Sequence, residues 1–504
     1  MRTYEHYNIV TDCLDKHASD TSKMALLFVD EALSVHFFTF CELAESSRRF
    51  SAGLVHHGFK AGDRLVLRFP NGPKFPVAFL GAARIGVILI PSSPLLTEGE
   101  LDFLVQDSEA KGVVTPENFS EFAGDESSKF EMMPVSKSGP AFWLYTSGTE
   151  GQPKAVIHAH RSIPAHDERV RLWQDLKSDD VVFNTSSLNW SYALTCGLLD
   201  VWRHGAAVAV YSGEITPEKI GRVIQECGVT VFMSVPGIYR KLAGYFREGA
   251  MPLQGVRVCL SAGEKLPGEV RHDFKKAVGL EIYEGLGMTE HSVYLVQRYG
   301  EPIVEGSCGR PLPGSRIAIL REDLSECEPD EIGILASHRS CEGLMIGYHQ
   351  TKSPPAPLCK GGKGGILEGP GFYGEWFLSG DLAYRDVGGN FFFVGRRDDV
   401  ITAGGYRISP MEVEAVLNRH PAVLESAVIE REIEPGKTIV VAHVVGREAP
   451  ACRSGRVSAP ELIAHAAQHL AKYKLPREVV FVDSLPKTRN GKIRRKELLS
   501  KINP

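Results

Sequence analysis

One stretch of the chain combines residue types that bind anions. A short apolar run at 141–144 is followed by Tyr145-Thr-Ser-Gly-Thr-Glu-Gly-Gln-Pro-Lys154. Hydroxyl groups, glycine backbone N–H groups and a lysine together suit a polyphosphate. The spacing differs from the common nucleotide loop G-x-x-x-x-G-K-[ST], because Ala155 follows the lysine where that loop has Ser or Thr. Taken alone, the stretch is compatible with a polyphosphate loop or with an ordinary turn.

Later segments carry side chains that could act on a nucleotide. Thr289 and Glu290 follow a glycine-containing run, and a carboxylate beside a triphosphate can hold Mg²⁺ together with phosphate oxygens. The segment 378–381, Leu-Ser-Gly-Asp, is expected to close a turn that offers Asp381 to vicinal hydroxyls such as those of ribose. Further polar segments are 261–267, 395–407 and 486–495. Each one alone is also compatible with a turn or a solvated run of charge.

Alternating strand and helix patterns must position these segments. Short apolar runs predict strands at 64–69, 87–91, 112–115, 181–184, 207–211, 229–233 and 256–261. Apolar residues at helical spacing predict helices between them, for example at 75–86 and 97–107. Another helix is expected after the N-cap Thr39, with Leu43, Phe50 and Leu54 on its apolar face. This alternation indicates an α/β architecture with mostly parallel sheets.

Beyond about residue 395 the predicted elements become shorter and more mixed. Ser409, Pro410 and Glu412 predict a capped helix start, and Ser458 with Glu461 predicts a second one. Strands are expected at 423–430 and 438–445. We therefore expect a small α+β domain of ordinary size at the end of the chain.

Composition excludes several classes of function. The net charge of -5 over 504 residues offers no field that would attract nucleic acid or an acidic membrane. The ten cysteines include no C-x-x-C pair, which disfavours zinc or iron–sulfur binding and favours a reducing compartment. The first residues have no apolar signal core, and the apolar stretch 77–91 is too short to span a bilayer. We expect a soluble cytoplasmic protein without nucleic-acid or membrane partners.

Taken together, the polar segments resemble the adenylate-forming superfamily of acyl-CoA synthetases, carrier-protein-loading adenylation domains and firefly-type luciferases. The segments that carry the resemblance are 145–154, 287–290, 379–381, 395–407 and 486–492, and weaker matches extend it over nearly the whole chain. The resemblance implies a large multi-subdomain adenylation domain at 1–397 and a small mobile domain at 398–504. It also implies an acid–thiol ligase that forms an acyl-adenylate and pyrophosphate from ATP.

The resemblance implies a role for each matched residue. Those implied to bind ATP or AMP are Thr146, Ser147, Gly148, Thr149, Lys154, Gly263, Glu264, Glu284, Gly285, Leu286, Asp381 and Arg396. Thr289 and Glu290 are implied to act at the α-phosphate, with Glu290 as the Mg²⁺ ligand. Lys492 is implied to bridge the attacking carboxylate and the α-phosphate.

The second step, transfer to a thiol, implies a change in domain orientation. Asp398 is the implied hinge, and Gly404 and Gly405 would face CoA, whose pantetheine arm can pass close to backbone that lacks a Cβ atom. Candidates for the CoA phosphates are Arg407, Lys472, Lys474 and Arg477, and the last three could alternatively belong to a solvated basic face. The implied small molecules are therefore ATP, Mg²⁺ and CoA.

The acyl substrate is expected to be a carboxylic acid other than an α-amino acid. The expected pocket residues are Asn189, Trp190, Tyr192 and Gly287. The segment 184–193 has no acidic side chain to pair with an ammonium group. Many relatives have an aromatic residue at the position of Leu286. An aliphatic residue there resembles the benzoate-type CoA ligases, which favours an aromatic or short- to medium-chain acid.

Two alternatives to an acyl-CoA synthetase stay open. A stand-alone enzyme that loads a carrier protein would share the first step and differ in the thiol acceptor. A non-catalytic ATP-binding protein would retain only the fold, and it is disfavoured because Lys154, Glu290, Asp381 and Lys492 are all present. A monomer or a homodimer is expected.

Overall fold

The chain divides into two compact units. The computed structural model describes residues 7–124, 132–146, 153–247, 253–349, 371–397, 399, 401–403, 406–434, 437–447, 457–487 and 493–500. The first unit comprises Met1–Arg316 and Arg339–Pro357, and the second comprises Ile317–His338 and Leu358–Pro504. Each unit is built around its own buried apolar clusters.

The larger sheet of the first unit is mixed and has a parallel centre. Across the sheet its strands are Arg310–Pro311, Ser292–Val296, Ile282–Met288, Val258–Ser261, Val231–Ser234, Val181–Asn184, Ala207–Tyr211, Met24–Val29 and Val35–Thr39. Neighbours from Ile282–Met288 to Met24–Val29 pair in parallel, and antiparallel strands lie at both edges. The predicted α/β class is confirmed.

A second sheet of this unit carries the predicted polyphosphate loop. Across it the strands are Gly347–Tyr348, Lys154–Ala159, Pro140–Thr146, Ile88–Ser92, Arg64–Arg68 and Gly112–Val114. Lys154–Ala159 runs antiparallel to Pro140–Thr146, and Thr146 lies opposite Lys154. The two strands that flank the predicted loop are therefore paired with each other as a β-hairpin.

Helices of the first unit separate these strands along the chain. Their bounds are Ile9–Cys13, Phe40–His56, Lys74–Arg84, Glu98–Ser108, Asp167–Arg169, Asp200–Arg203, Pro217–Cys227, Pro236–Arg247 and Gly268–Val278. The helix Phe40–His56 begins with the predicted cap, because the Thr39 hydroxyl accepts the Glu42 N–H while the Glu42 carboxylate accepts the Thr39 N–H. Across the described residues of both units, no helix has the length and apolarity that crossing a bilayer requires.

The second unit contains an antiparallel sheet that the sequence patterns missed. Its strands are Ile317–Leu320, Gly333–His338, Trp376–Arg385, Gly371–Tyr373 and Phe391–Arg396. The predicted turn at 378–381 is wrong, because Asp381 lies within the strand Trp376–Arg385. The register with Gly333–His338 shifts here, and Gly380 has a φ of 76°, so a bulge in the strand resembles a turn in sequence.

The rest of the second unit is the predicted small α+β arrangement. Its strands are Ile401–Ala403, Tyr406–Ile408, Val423–Glu434, Lys437–Gly446 and Glu478–Phe481, and its helices are Pro410–Leu417, Ala459–Ala467 and Arg495–Ser500. The capping box of Ser458 and Glu461 is confirmed.

The predicted side-chain cap at Ser409 is wrong, although the helix Pro410–Leu417 does begin there. The Ser409 hydroxyl donates to the Val394 carbonyl instead of accepting from the helix. Glu412 pairs with Lys474, with 2.7 Å between Nζ and Oε2, so tertiary partners replace the local cap.

The compact units do not divide at residue 397. The antiparallel sheet of residues 317–396 belongs to the same unit as the C-terminal elements. The boundary between 1–397 and 398–504 stays a prediction.

Candidate active site

The hairpin ends place two of the predicted phosphate-binding residues side by side. Thr146 ends one strand and Lys154 begins the next. The Thr146 hydroxyl donates a hydrogen bond to the Lys154 carbonyl oxygen at 3.4 Å. Both residues are half-buried. The hairpin thus brings a hydroxyl and a cation to the base of the loop, while Ser147, Gly148 and Thr149 lie outside the described residues.

The Thr289–Glu290 turn joins the antiparallel strands Ile282–Met288 and Ser292–Val296. The turn is tied to other segments through both of its residues. His158 Nε2 donates to the Thr289 carbonyl at 2.8 Å, and the Tyr348 hydroxyl donates to Glu290 Oε1 at 2.7 Å. The Met345 N–H also donates to the Glu290 carbonyl at 2.8 Å. The hydroxyl and carboxylate predicted to act at the α-phosphate therefore sit on a turn with several anchors.

His158 is a neutral donor in this arrangement. Burial lowers the pKa of His158 to about 4, so at neutral pH the ring is uncharged. Because a carbonyl oxygen can only accept, the proton of the neutral ring lies on Nε2. The ring also stacks on Phe142, with 4.9 Å between the centroids, so packing and hydrogen bonding set one orientation.

The far side of the same turn rests on a buried ion pair. Arg169 Nε donates to Asp200 Oδ2 at 3.1 Å, and both side chains are essentially inaccessible to solvent. Arg169 Nη1 then donates to the Ser292 hydroxyl at 2.7 Å. Ser292 has a φ of 56°, a conformation that is uncommon for serine and that these contacts hold in place. Sequence spacing did not identify this network.

The glycines before the turn are required by close packing. A Cβ at Gly285 would lie 2.8 Å from Trp173 Cζ2, and one at Gly287 would lie 2.3 Å from the Ser292 carbonyl oxygen. Leu286, between them, is half-buried and pairs across the sheet with Leu295. The predicted nucleotide contacts of Gly285 and Leu286, and the predicted place of Gly287 in the acyl pocket, stay predictions.

Glu284 has an internal role in the structure. Its buried carboxylate accepts from Lys265 Nζ at 3.0 Å and from the Leu266 N–H at 3.0 Å. These bonds join the segment 262–267, which carries the predicted nucleotide residues Gly263 and Glu264, to the strand Ile282–Met288. Glu284 therefore positions that segment, and a direct contact of its side chain with ATP stays a prediction.

The predicted acyl-pocket residues fall into two environments. Trp190 is half-buried and lies against Gly263, where an added Cβ would come within 2.6 Å of the indole Cη2 atom. Asn189 Nδ2 donates to the Ser92 carbonyl at 3.2 Å. Tyr192 is buried at the start of the π-helix Tyr192–Leu199, and its hydroxyl donates to the Leu260 carbonyl at 3.3 Å. Trp190 thus joins the predicted acyl pocket to the nucleotide segment, whereas Tyr192 packs in the core.

In the second unit, Asp381 and Arg396 are cross-strand neighbours. Arg396 Nη1 donates to Asp381 Oδ1 at 2.9 Å, and the Asp381 N–H donates to the Ser379 hydroxyl at 3.1 Å. Asp381 is mostly buried and Arg396 is about one-third exposed. The structure therefore brings together the two residues predicted to bind ribose.

The residues predicted for hinge movement and CoA binding are described only in part. Lys492, Asp398, Gly404 and Gly405 lie outside the described residues, and only the backbone of Arg407 is described. The Lys474 ammonium is paired with Glu412, and Lys472 lies in the same short 3₁₀ turn.

Two family models match the chain along most of its length. The model described as "AMP-binding enzyme" matches residues 16–132 and 118–349, and its C-terminal domain model matches residues 412–492. The chain belongs to the AMP-binding enzyme family. Predicted membership of the adenylate-forming superfamily is thereby confirmed.

Relatives of this AMP-binding enzyme extend over both units. An uncharacterised acyl–CoA ligase of Bacillus subtilis is 32% identical over 98% of this chain and 95% of the relative. A benzoate–CoA ligase of Thauera aromatica is 30% identical over 98% of this chain and 96% of the relative. The crystal structure of a benzoate CoA ligase from Burkholderia xenovorans has a TM-score of 0.81, 28% identity and coverage of 98% and 99% of the two chains. The predicted enzyme class, an acid–thiol ligase, agrees with these relatives.

The metal-binding side chains predicted at the AMP-binding site suit a metal ion that binds together with the nucleotide. Within the described ranges, no group of three or more His, Cys, Asp or Glu side chains could hold a metal ion. Glu290 supplies one carboxylate, and Thr289, which precedes it in the chain, carries a hydroxyl group. Mg²⁺ commonly takes one or two carboxylates together with substrate phosphates and water, so the donors present suit Mg²⁺·ATP.

Sequence reasoning missed the residues that hold this site. His158, Tyr348, Arg169 and Asp200 make their contacts across large sequence separations, which no local motif encodes. A histidine in the apolar run that follows Lys154 was an available signal, whereas Tyr348 offered none.

Proposed function

We propose that this enzyme is an AMP-forming acyl-CoA synthetase that acts on an aromatic or a short- to medium-chain carboxylic acid. The observation that carries the proposal is the direct link between the strand that begins at Lys154 and the Thr289–Glu290 turn, through His158. Lys154, which we assign to pyrophosphate, is thereby connected to Thr289 and Glu290, which we assign to the α-phosphate and its metal ion.

In the first step, a carboxylate oxygen of the acid attacks the α-phosphorus of ATP, and the bond to the bridging oxygen of pyrophosphate breaks. Lys154 and Thr146 neutralise and position the leaving pyrophosphate, while Thr289 positions the α-phosphate. Lys492 holds the two approaching anions together. A cation ~4 Å from developing charge at an effective dielectric of ~20 contributes ~4 kcal/mol, which corresponds to about three orders of magnitude in rate.

Glu290 is proposed to hold Mg²⁺ together with the nucleotide. When bound, Mg²⁺ supplies charge neutralisation at the phosphate oxygens. Glu290 itself orients the ion, and Tyr348 and the Thr289–Glu290 backbone contacts set the direction in which its carboxylate points.

In the second step, the CoA thiol gives up its proton to solvent, its sulfur attacks the acyl carbonyl carbon, and AMP leaves with the electron pair of the broken C–O bond. Asp398 is the proposed hinge for the change between steps, and Gly404 and Gly405 line the proposed path of pantetheine. Lys472 and Arg407 remain candidates for the CoA phosphates. Lys474 would have to exchange its Glu412 partner to join them.

Two observations support a compact acyl group: Trp190 lies against Gly263, and Leu286 replaces an aromatic residue of many relatives. The absence of an acidic residue from segment 184–193 argues against an α-amino acid. The relatives include a benzoate–CoA ligase, which points in the same direction. The cysteines that the structure describes form no disulfide, which supports a reducing, cytoplasmic location. The monomeric or homodimeric state stays a prediction.

Pyrophosphate release measured against a panel of aliphatic, aromatic and amino acids tests the proposal. We expect release that depends on an aromatic or short- to medium-chain acid, followed by acyl-CoA formation with free CoA. Acid-dependent release without acyl-CoA formation would instead identify an enzyme that loads a carrier protein. No release with any acid, combined with ATP binding, would identify a non-catalytic protein.

A further inference from the structure

The short segment 345–349 lies between the strand that begins at Lys154 and the turn that carries Glu290. Its strand, Gly347–Tyr348, pairs antiparallel with Lys154–Ala159, placing Tyr348 opposite Val156. The backbone N–H of Ile346 donates to the Ile157 carbonyl at 2.8 Å, and that of His349 donates to the Ala155 carbonyl at 2.9 Å. Regular backbone hydrogen bonds therefore hold one side of the segment against the strand Lys154–Ala159.

The other side of the segment is hydrogen-bonded to Glu290. The Met345 N–H donates to the Glu290 carbonyl, and the Tyr348 hydroxyl donates to Glu290 Oε1 at 2.7 Å. A tyrosine side chain has two rotatable bonds before its rigid ring, whereas a glutamate side chain has three. The hydrogen bond thus removes rotational freedom from Glu290 before a ligand arrives, which is the physical meaning of preorganisation.

A second link joins the same strand to Thr289. His158 lies four residues after Lys154, and its Nε2–H donates to the Thr289 carbonyl at 2.8 Å. The ring is buried and stacked on Phe142, so it cannot swing away without opening the core. The strand Lys154–Ala159 therefore fixes the relative positions of Lys154, Thr289 and Glu290.

We propose that Tyr348 and His158 are positioning residues of this enzyme: they hold Glu290 and Thr289 at a set distance and orientation relative to Lys154. The proposal rests on the proposed function, because it assigns these contacts to the binding of metal and nucleotide. Neither side chain is required to touch the reacting atoms.

The variant Tyr348→Phe removes one hydroxyl and keeps the ring. The affinity for Mn²⁺ in the presence of α,β-methylene-ATP, measured by water-proton relaxation, is expected to weaken by about tenfold. This is a usual effect of losing the hydrogen-bond partner of a metal ligand. The kcat of pyrophosphate release should fall by a similar factor, while the KM for the carboxylic acid changes less than about twofold. The matched control is Tyr7→Phe, which removes a hydroxyl that donates to Asp12 Oδ2 at 3.0 Å elsewhere in the first unit and should leave all three quantities unchanged.

For His158, a conservative variant separates positioning from packing. His158→Leu removes the donor and should lower kcat by about tenfold, whereas His158→Gln can place an amide N–H near the Thr289 carbonyl and should recover most of the loss. Equal losses in both variants would assign His158 to packing alone.

The outcomes for this proposal and for the proposed function differ. If wild-type enzyme forms acyl-CoA and binds Mn²⁺ with nucleotide, but Tyr348→Phe behaves like Tyr7→Phe, the positioning role is overturned and the synthetase function stands. If the wild-type enzyme shows neither acid-dependent pyrophosphate release nor nucleotide-dependent Mn²⁺ binding, the function is overturned and this role with it.

Discussion

The Thr289–Glu290 turn of the first unit and the Asp381–Arg396 pair of the second are built in different ways. The turn is held by contacts that span 131 residues to His158 and 58 residues to Tyr348. Asp381 and Arg396 are 15 residues apart on neighbouring strands, and their contact follows from the register of one strand pair. The Thr289–Glu290 turn therefore depends on the packing of a whole unit, whereas the Asp381–Arg396 pair depends largely on a local antiparallel pairing.

The largest expected effect tests that dependence on packing. Asp200→Ala would leave the buried Arg169 guanidinium without its carboxylate and should lower the free energy of unfolding of the first unit by about 3–5 kcal/mol, measured by urea unfolding. The control is Glu412→Gln in the second unit, which breaks the more exposed pair with Lys474 and should cost less than about 1 kcal/mol. Equal effects would contradict the contrast between the units.

Acid should destabilise the first unit through its buried histidines. Burial alone lowers the pKa of His160 to about 4, below the ordinary value of about 6.5. The unfolded chain therefore binds the proton first as the pH falls, so stability present above about pH 6.5 is lost towards pH 4. At pH 5 the loss from His160 amounts to about 2 kcal/mol.

The measurement is urea unfolding between pH 7.5 and pH 5, with His160→Phe as the comparison. His160→Phe should unfold with a shallower pH dependence than the wild type. An unchanged slope would show that His160 is not a source of the acid sensitivity. Burial also lowers the pKa of His158 and His291, to about 4 and about 3, so part of the slope should persist.

Glu290→Gln tests the chemical role of the Thr289–Glu290 turn. Loss of the carboxylate charge should lower the kcat of pyrophosphate release by about 10²-fold, or about 2.7 kcal/mol, because the proposed Mg²⁺ contact weakens. Pyrophosphate exchange at saturating ATP and several Mg²⁺ concentrations measures the effect. Full activity at low Mg²⁺ would remove Glu290 from the metal site.

Asp381→Asn should have the smallest effect of the series. Weaker hydrogen bonds to ribose should raise the KM for ATP by about tenfold, or about 1.4 kcal/mol, with a smaller change in kcat. Steady-state kinetics with ATP as the varied substrate checks this. A dominant loss of kcat would place Asp381 nearer to the reacting phosphate than the ribose assignment allows.

Sequence patterns predicted the local elements of the chain well. The strands Val181–Asn184 and Ala207–Tyr211 and the helix capped by Thr39 agree with their predicted positions, because periodicity and capping act over a few residues. The prediction failed at Asp381, where a bulge resembles a turn, and at Ser409, whose hydroxyl bonds to Val394 instead of to the helix. In both places a tertiary partner overrides the local signal.

The sequence alone indicated the family and the reaction type through the resemblance of its ordered motifs, since the residue types and the spacing of a motif are properties of short segments. Only the tertiary structure revealed that Lys154, Thr289 and Glu290 share one framework, and that His158 and Tyr348 connect them. The physical reason is that hydrogen bonds between distant segments depend on strand order and side-chain burial. Both arise only when the whole unit packs.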